Sequence, residues 1–248
     1  VCLPLAELAA ASDEAADGSA LTTLHDALRG SGVVGTPRSP EGRPLILDDD
    51  DRLYLHRHFD YERRLAQRLR RAAAAPPQAV SDAARRRLQT LCETDASEDP
   101  DWQKLAAALA LRQRLLVVSG GPGTGKTTTV VNLLACLLEQ DPQGRIALAA
   151  PTGKAAARMS EALQQRAAHL PRQLRERLPT QAATVHRLLG ARPGGFTHDA
   201  GNPLPVDALV VDEASMLDLA LATRLFEAVP EHARLILLGD KDQLAAVE

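Results

Sequence analysis

The chain has 248 residues, 45% of them hydrophobic and only 2% aromatic, so it can bury a sizeable core as one large domain or two modest ones. Its formal net charge of −3 excludes a surface that is basic throughout, and any nucleic-acid contact must be a local groove. No apolar run approaches the ~20 residues that cross a bilayer, and Val1-Cys2-Leu3-Pro4-Leu5 gives way to acidic residues too soon for a secretory signal.

Residues 1–30 read as short helices, with Leu21, Leu24, His25 and Leu28 on one helical face and His25 as an amphipathic surface residue. Gly30, Gly32, Gly35, Pro37 and Pro40 mark a loop. Two apolar runs, Leu45-Ile46-Leu47 and Leu53-Tyr54-Leu55, then flank Asp48-Asp49-Asp50-Asp51-Arg52. Four consecutive carboxylates suggest a metal site, but consecutive side chains diverge, and a solvated hairpin turn is the expectation. Tyr61 to Ala75 forms a basic helix whose arginines make a solvated face, ended by Pro76-Pro77. A second helix, capped by Ser81, runs to Cys92. The polar stretch Glu93 to Pro100 reads as a linker, which divides the chain into domains 1–97 and 98–248.

Beyond the linker, strands and helices alternate, the pattern of a parallel sheet with crossover connections. A helix from Asp101 to Leu111 leads into the strand Leu115 to Val118. Further strands are expected at Ile146 to Ala150, Ala208 to Val211 and Arg234 to Leu238. A helix follows at Ala155 to Leu163, a short one at Thr184 to Leu189, and another reaches about Ala228; Gly190 to Pro205 reads as a loop. Each of the four strands ends in polar residues, and in an open α/β sheet the carboxyl edge of the strands is where ligands bind.

The first strand runs into Gly120-Gly121-Pro122-Gly123-Thr124-Gly125-Lys126-Thr127-Thr128, which contains G-x-x-x-x-G-K-T. Glycines let backbone N–H groups wrap a phosphate chain, and the next helix turns its positive end to the same anion. Gly121, Pro122, Gly123, Thr124, Gly125, Lys126, Thr127 and Thr128 are therefore expected to hold ATP. Lys126 meets the terminal phosphates, and the Thr127 hydroxyl meets Mg2+. Asp212, ending an apolar strand far downstream of such a loop, is the expected second Mg2+ residue. Glu213 is placed to deprotonate the attacking water, and Gln243, past the last strand, to sense the γ-phosphate. The chain has 25 arginines but only Lys104, Lys126, Lys154 and Lys241 as lysines, all in or beside these segments, where a compact ammonium is required.

Further segments carry a resemblance: Asp101-Trp102-Gln103-Lys104, the phosphate loop, Ala150-Pro151-Thr152-Gly153-Lys154, Thr184-Val185-His186-Arg187, Val211-Asp212-Glu213-Ala214 and Gly239-Asp240-Lys241-Asp242-Gln243. Together they resemble superfamily-one DNA helicases, and more closely the RecD family, the alpha subunits of bacterial exodeoxyribonuclease V. The resemblance spans 101–248 and is weaker over 1–100. It implies an α/β fold: a P-loop NTPase, RecA-like parallel-sheet domain, preceded by a small, mainly helical domain with a β-hairpin that docks partners. It further implies a DNA-dependent ATPase moving 5′→3′ along single-stranded DNA, inside a helicase–nuclease with RecB and RecC. Gln103 would read the adenine, and Thr152, Lys154, Thr184 and His186 would line the DNA path. The nuclease centre of such complexes belongs to another subunit.

On this resemblance the 248 residues are the ATP-binding half of a motor, truncated at both ends: an initiator Met is missing, and the second RecA-like domain, with its arginine finger, is absent. Cys2, Cys92 and Cys136 have neither metal-like spacing nor an even count, which fits a reducing cytoplasm; no membrane partner is expected. A stand-alone helicase without nuclease partners is the alternative enzyme. A nucleotide-dependent docking module is the non-enzymatic one. A small-molecule kinase or transporter ATPase fits less well, because Ala-Pro-Thr-Gly-Lys is present and Ser-Gly-Gly-Gln is not.

Overall fold

The computed structural model describes residues 2–10, 18–40, 42–90, 101–121 and 125–240. The chain forms two compact units, 1–66 and 67–248.

The first unit holds β1 (Cys2–Pro4), α1 (Leu5–Ala10), α2 (Gly18–Gly30), β2 (Val34–Gly35), β3 (Leu45–Leu47), β4 (Arg52–Leu55) and the start of α3 (His56–Ala73). The expected hairpin is β3–β4, but it lies inside a four-stranded sheet of order β1-β4-β3-β2. Strands of three and two residues, such as β1 and β2, are too short to show alternation, which is why the sequence does not announce them. Leu21, Leu24 and Leu28 do share a face, packed on Leu5, Val34 and Leu47.

The hairpin turn is less solvated than expected. Asp48 is only 9% exposed. Its carboxylate accepts from the amides of Asp50 (3.0 Å) and Arg52 (2.9 Å) and from Arg52 Nε (2.8 Å). Asp51 takes the left-handed conformation, φ 56°, which aspartate tolerates better than most residues. Nε2 of half-buried His25 lies 3.5 Å from the Asp51 carboxylate.

The second unit continues through α4 (Asp82–Thr90), α5 (Trp102–Arg112), β5 (Leu115–Ser119), α6 (Lys126–Gln140), β6 (Ile146–Ala150), α7 (Gly153–Arg166) and α8 (Arg172–Arg175). Then follow β7 (Ala183–Thr184), α9 (Val185–Leu188), β8 (Ala191–Arg192), β9 (Gly195–Phe196), β10 (Ala208–Val211), α10 (Leu219–Ala228) and β11 (Arg234–Gly239). Its sheet has the order β5-β11-β10-β6-β7 with every pair parallel. The Gly190 to Pro205 stretch, expected as plain loop, contains the small β8–β9 hairpin.

From Thr129 to Leu138 every residue of α6 is buried, as expected for a helix apolar on all sides. Helices α4, α5 and α7 pack on it. The units therefore part earlier than the polar linker suggested. Ala84 of α4 is in the core of the second unit, with Val80 and Leu88 packed against it. Gln140 also accepts from the Ser81 amide at 2.9 Å. Composition marked the linker, but packing assigns 67–90 to the second unit; most of the linker, 91–100, lies outside the described residues.

The basic helix also departs from a solvated face. Half-buried Arg68 donates to the carbonyls of Phe226 (3.2 Å), Val229 (3.1 Å) and Pro230 (3.1 Å). These lie at the C-terminal end of α10, where a cation meets orphan carbonyls and the negative end of the helix dipole.

Candidate nucleotide and nucleic-acid site

Because the five strands run parallel, their carboxyl ends share one edge, and there the structure gathers most of the expected residues. Strand β5 ends at Ser119, and the Gly120 amide donates to Gly239 O at 3.1 Å, which ties the start of the phosphate loop to the end of β11. Gly125 then opens α6 with φ 82°, a conformation that needs glycine. A Cβ at Gly125 would stand 2.9 Å from Gln103 Nε2, so the amide of Gln103 lies directly against the loop. It gets there because Asp101 caps α5, accepting from the amides of Gln103 and Lys104 at 3.0 Å each. Pro122, Gly123 and Thr124 lie outside the described residues, as does Gln243.

The Lys126 ammonium donates to the carbonyls of Gly120 and Gly121, the latter at 3.2 Å, so its charge is held over the opening of the loop. Lys126, Thr127 and Asp212 line one cavity of about 50 Å3, together with Val130, Met159, Leu163 and Leu238. Thr128 is one residue further along α6, and its hydroxyl receives a hydrogen bond from Arg166.

Asp212 directly follows β10, with its amide bonded to Ala149 O at 2.9 Å. Burial raises its carboxyl pKa; the Glu213 amide, which donates to Oδ1 at 2.9 Å, and the Lys126 charge work against that rise. A hydroxyl and a half-desolvated carboxylate beside one lysine form an oxygen donor set suited to a hard cation such as Mg2+, whose charge would offset the burial of Asp212. Glu213 adopts φ 50°, ψ 39°, a left-handed backbone rare for a residue with a side chain. That turn breaks the strand direction and starts the 3-10 segment Ala214–Met216.

The expected nucleic-acid residues lie along the same edge, at and just beyond the ends of two adjacent strands. Strands β6 and β7 pair with Ala150 opposite Thr184. Thr152 caps α7, accepting from the Ala155 amide at 3.2 Å, and Thr184 caps α9, accepting from the Arg187 amide at 3.2 Å. A hydroxyl that accepts from backbone still has its own O–H to donate. Lys154, in the first turn of α7, is exposed, as is His186, whose ring centroid is 6.0 Å from that of Phe196.

Two residues of this edge went unassigned from sequence. Asp240, 7% exposed at the end of β11, has a carboxylate oxygen 4.0 Å from where a Cβ on Gly121 would be. Its place beside Gly239 could have flagged it. Arg166 had no such signal, being one of many arginines.

Residues 103–248 match the AAA domain family. The RecD subunit of the Mycobacterium tuberculosis RecBCD enzyme is 47% identical over 224 residues, covering 87% of this chain and 37% of that protein. Its counterpart in Mycolicibacterium smegmatis is 46% identical over 232 residues, covering 90% and 39%. An ATP-dependent RecD2 DNA helicase of Deinococcus radiodurans is 39% identical over 212 residues, covering 80% and 25%. The chain thus spans well under half the length of each of these relatives. The AAA match takes in more than half of the chain, so the chain belongs to that family, and over most of its length it is related to RecD subunits.

Proposed function

We propose that this AAA-family chain is the ATP-binding half of a 5′→3′ DNA helicase subunit, part of a helicase–nuclease that processes double-strand ends for recombinational repair. The observation that carries the reading is one cavity lined by Lys126, Thr127 and Asp212, with Thr152, Lys154, Thr184 and His186 along the same strand edge. Nucleotide and single-stranded DNA would thus be held on one rigid sheet.

Each residue has a defined task in this reading. Amides of the loop and of the first turn of α6 surround the phosphates, and Lys126 neutralises the terminal ones. Gln103, packed on Gly125, orients the adenine. Thr127 and Asp212 would hold Mg2+, which supplies charge neutralisation for phosphoryl transfer. Glu213 takes the proton of the attacking water, and its left-handed backbone turns its side chain away from the line of the strand. Gln243 senses the γ-phosphate. The O–H groups of Thr152 and Thr184, with Lys154 at the positive end of α7, contact DNA phosphates, and His186 offers its ring to a base.

The likeness to RecD subunits favours RecB and RecC as partners, with residues of the N-terminal unit docking them. The likeness to a RecD2 helicase favours a second reading, a motor without nuclease partners. Mixing the full-length protein with purified RecB and RecC separates the two: a stable complex that cuts DNA ends supports the first, and unwinding by the protein alone without association supports the second. Loss of neither MgATP binding nor DNA-stimulated hydrolysis in Lys126→Ala would refute both.

A further inference from the structure

We propose that Arg166 is a further nucleotide-binding residue, its guanidinium donating to the α-phosphate end of a bound nucleoside polyphosphate. The inference rests on the reading of 120–128 as a phosphate loop. Met159, Leu163 and Arg166 fall at positions four and three residues apart on α7, so they share one helical face. The first two line the cavity with Lys126, Thr127 and Asp212. Arg166 extends that face to the first turn of α6, where its NH1 group donates to the Thr128 hydroxyl.

Arg166 ends α7, whose negative end favours a cation, but its guanidinium reaches across to a second helix end of the opposite sign. The first turn of α6 is the positive end of a 15-residue helix and already carries Lys126. A guanidinium added there is repelled by both, and a neutral hydroxyl does not compensate. Among the described residues no carboxylate pairs with Arg166, which is exposed. Exposed Arg112, Arg158 and Arg192 share this lack of a carboxylate partner, but Arg166 alone of these four has a hydrogen bond to the phosphate-loop helix. An anion at the helix end reverses the balance, because the same repulsion then becomes attraction.

The order of residues along α6 says which part of the anion Arg166 meets. In this loop the lysine reaches the β- and γ-phosphates while backbone amides hold the α- and β-phosphates. Thr128 follows the Lys126–Thr127 pair assigned to the terminal phosphates and Mg2+, so a group anchored on its hydroxyl is left for the part of the chain that the loop amides hold, the α-phosphate end. Anchoring one N–H on Thr128 leaves the rest of the planar guanidinium fork to engage phosphate oxygens, which lysine cannot do bidentately.

The test measures MgADP affinity calorimetrically for the full-length protein and for Arg166→Ala, Arg166→Gln, Arg166→Lys and Lys126→Ala, with a thermal melt of each. ADP keeps the α-phosphate and lacks the γ-phosphate. The expected result is about a tenfold or greater loss in Arg166→Ala and Arg166→Gln, partial recovery in Arg166→Lys, and a shallower salt dependence wherever the charge is removed. Should Arg166→Ala fold poorly, Arg166→Gln, which keeps length and polarity, carries the same expectation. Unchanged ADP affinity in both neutral variants, with Lys126→Ala abolishing binding, would overturn the role of Arg166 and leave the phosphate loop standing. A lower melting temperature with unchanged affinity would overturn it too, by showing a packing role. If Lys126→Ala itself binds ADP normally, the phosphate-loop reading falls and the proposal with it.

Discussion

Asp207 and Asp212 stand at the two ends of β10, and their surroundings push their carboxyl groups in opposite directions. At the amino end, Asp207 is gripped by Arg145: Nε at 3.0 Å, the Arg145 amide at 2.8 Å, and His232 Nε2 at 3.3 Å from its other oxygen. The side-chain and backbone hydrogen bonds of Arg145 lower its pKa to about 2. At the carboxyl end, burial raises the pKa of Asp212, and one backbone amide and the Lys126 charge offset that only in part. The strand between them, Ala208–Val211, is wholly buried and registers against both neighbours. One edge of the sheet is satisfied within the protein; at the other, an aspartate is held partly desolvated beside a lysine, the setting that the proposed Mg2+ would complete. Edges of the first kind stabilise the fold, and edges of the second kind hold charge ready for a ligand.

Substitutions at the carboxyl edge should cost function and not folding. The largest effect is expected for Glu213→Gln: hydrolysis by the full-length protein should fall by about a hundredfold or more, with ATP binding near normal, as for loss of a general base. If binding falls as far as turnover, Glu213 holds the metal or the backbone turn instead. Next comes Lys126→Ala, which should abolish tight MgATP binding while the circular dichroism spectrum is unchanged. For Asp212→Asn the two readouts should move oppositely. Removing a partly desolvated charge should leave the melting temperature at neutral pH unchanged or higher, while Mg2+-dependent nucleotide affinity drops. A clear fall in melting temperature would place Asp212 with the stabilising edge and dissolve the contrast.

The sequence disclosed these two edges unequally. Strands β5, β6, β10 and β11 were legible as short apolar runs, and their parallel orientation follows from the intervening helices, whereas their order in the sheet does not. Lys126, Thr127 and Asp212 were singled out from residue types at a fixed spacing, and the fold brings them into one cavity. Asp207 carried no such mark: an aspartate before a strand reads as loop, and its partner Arg145 lies on a different strand connection. Arg68 was misread for the same reason, since its acceptors at Phe226, Val229 and Pro230 are distant in sequence. Periodicity and motif spacing report what is local or chemically forced. Pairings closed by tertiary structure leave no trace in either.

The smallest effect, and the sharpest check on the contrast, is expected at the amino edge. In Asp207→Asn the charge that Arg145 and His232 share is lost, but Nδ2 and Oδ1 keep the shape and an acceptor for the Arg145 amide. Lowering a carboxyl pKa from 3.8 to about 2 means that the folded state favours the ionised form. That stability is present in full above the unfolded value of 3.8 and is lost as the pH falls through about 2. Arg145 is 59% exposed, so solvent screening reduces the contribution to about 1 kcal/mol. Urea unfolding from pH 7 to pH 2 should therefore show the substituted protein less stable by about that amount down to pH 4, with the two curves meeting near pH 2. Asp212, whose folded pKa is raised, contributes the opposite slope: stability declines as the pH rises above 3.8, and Asp212→Asn should flatten that decline. Nucleotide affinity should be the same with and without the Asp207 carboxylate. A stability gap that persists at pH 2 would show that the ion pair is not its source, and a loss of nucleotide affinity would show that the two ends of β10 do not act separately.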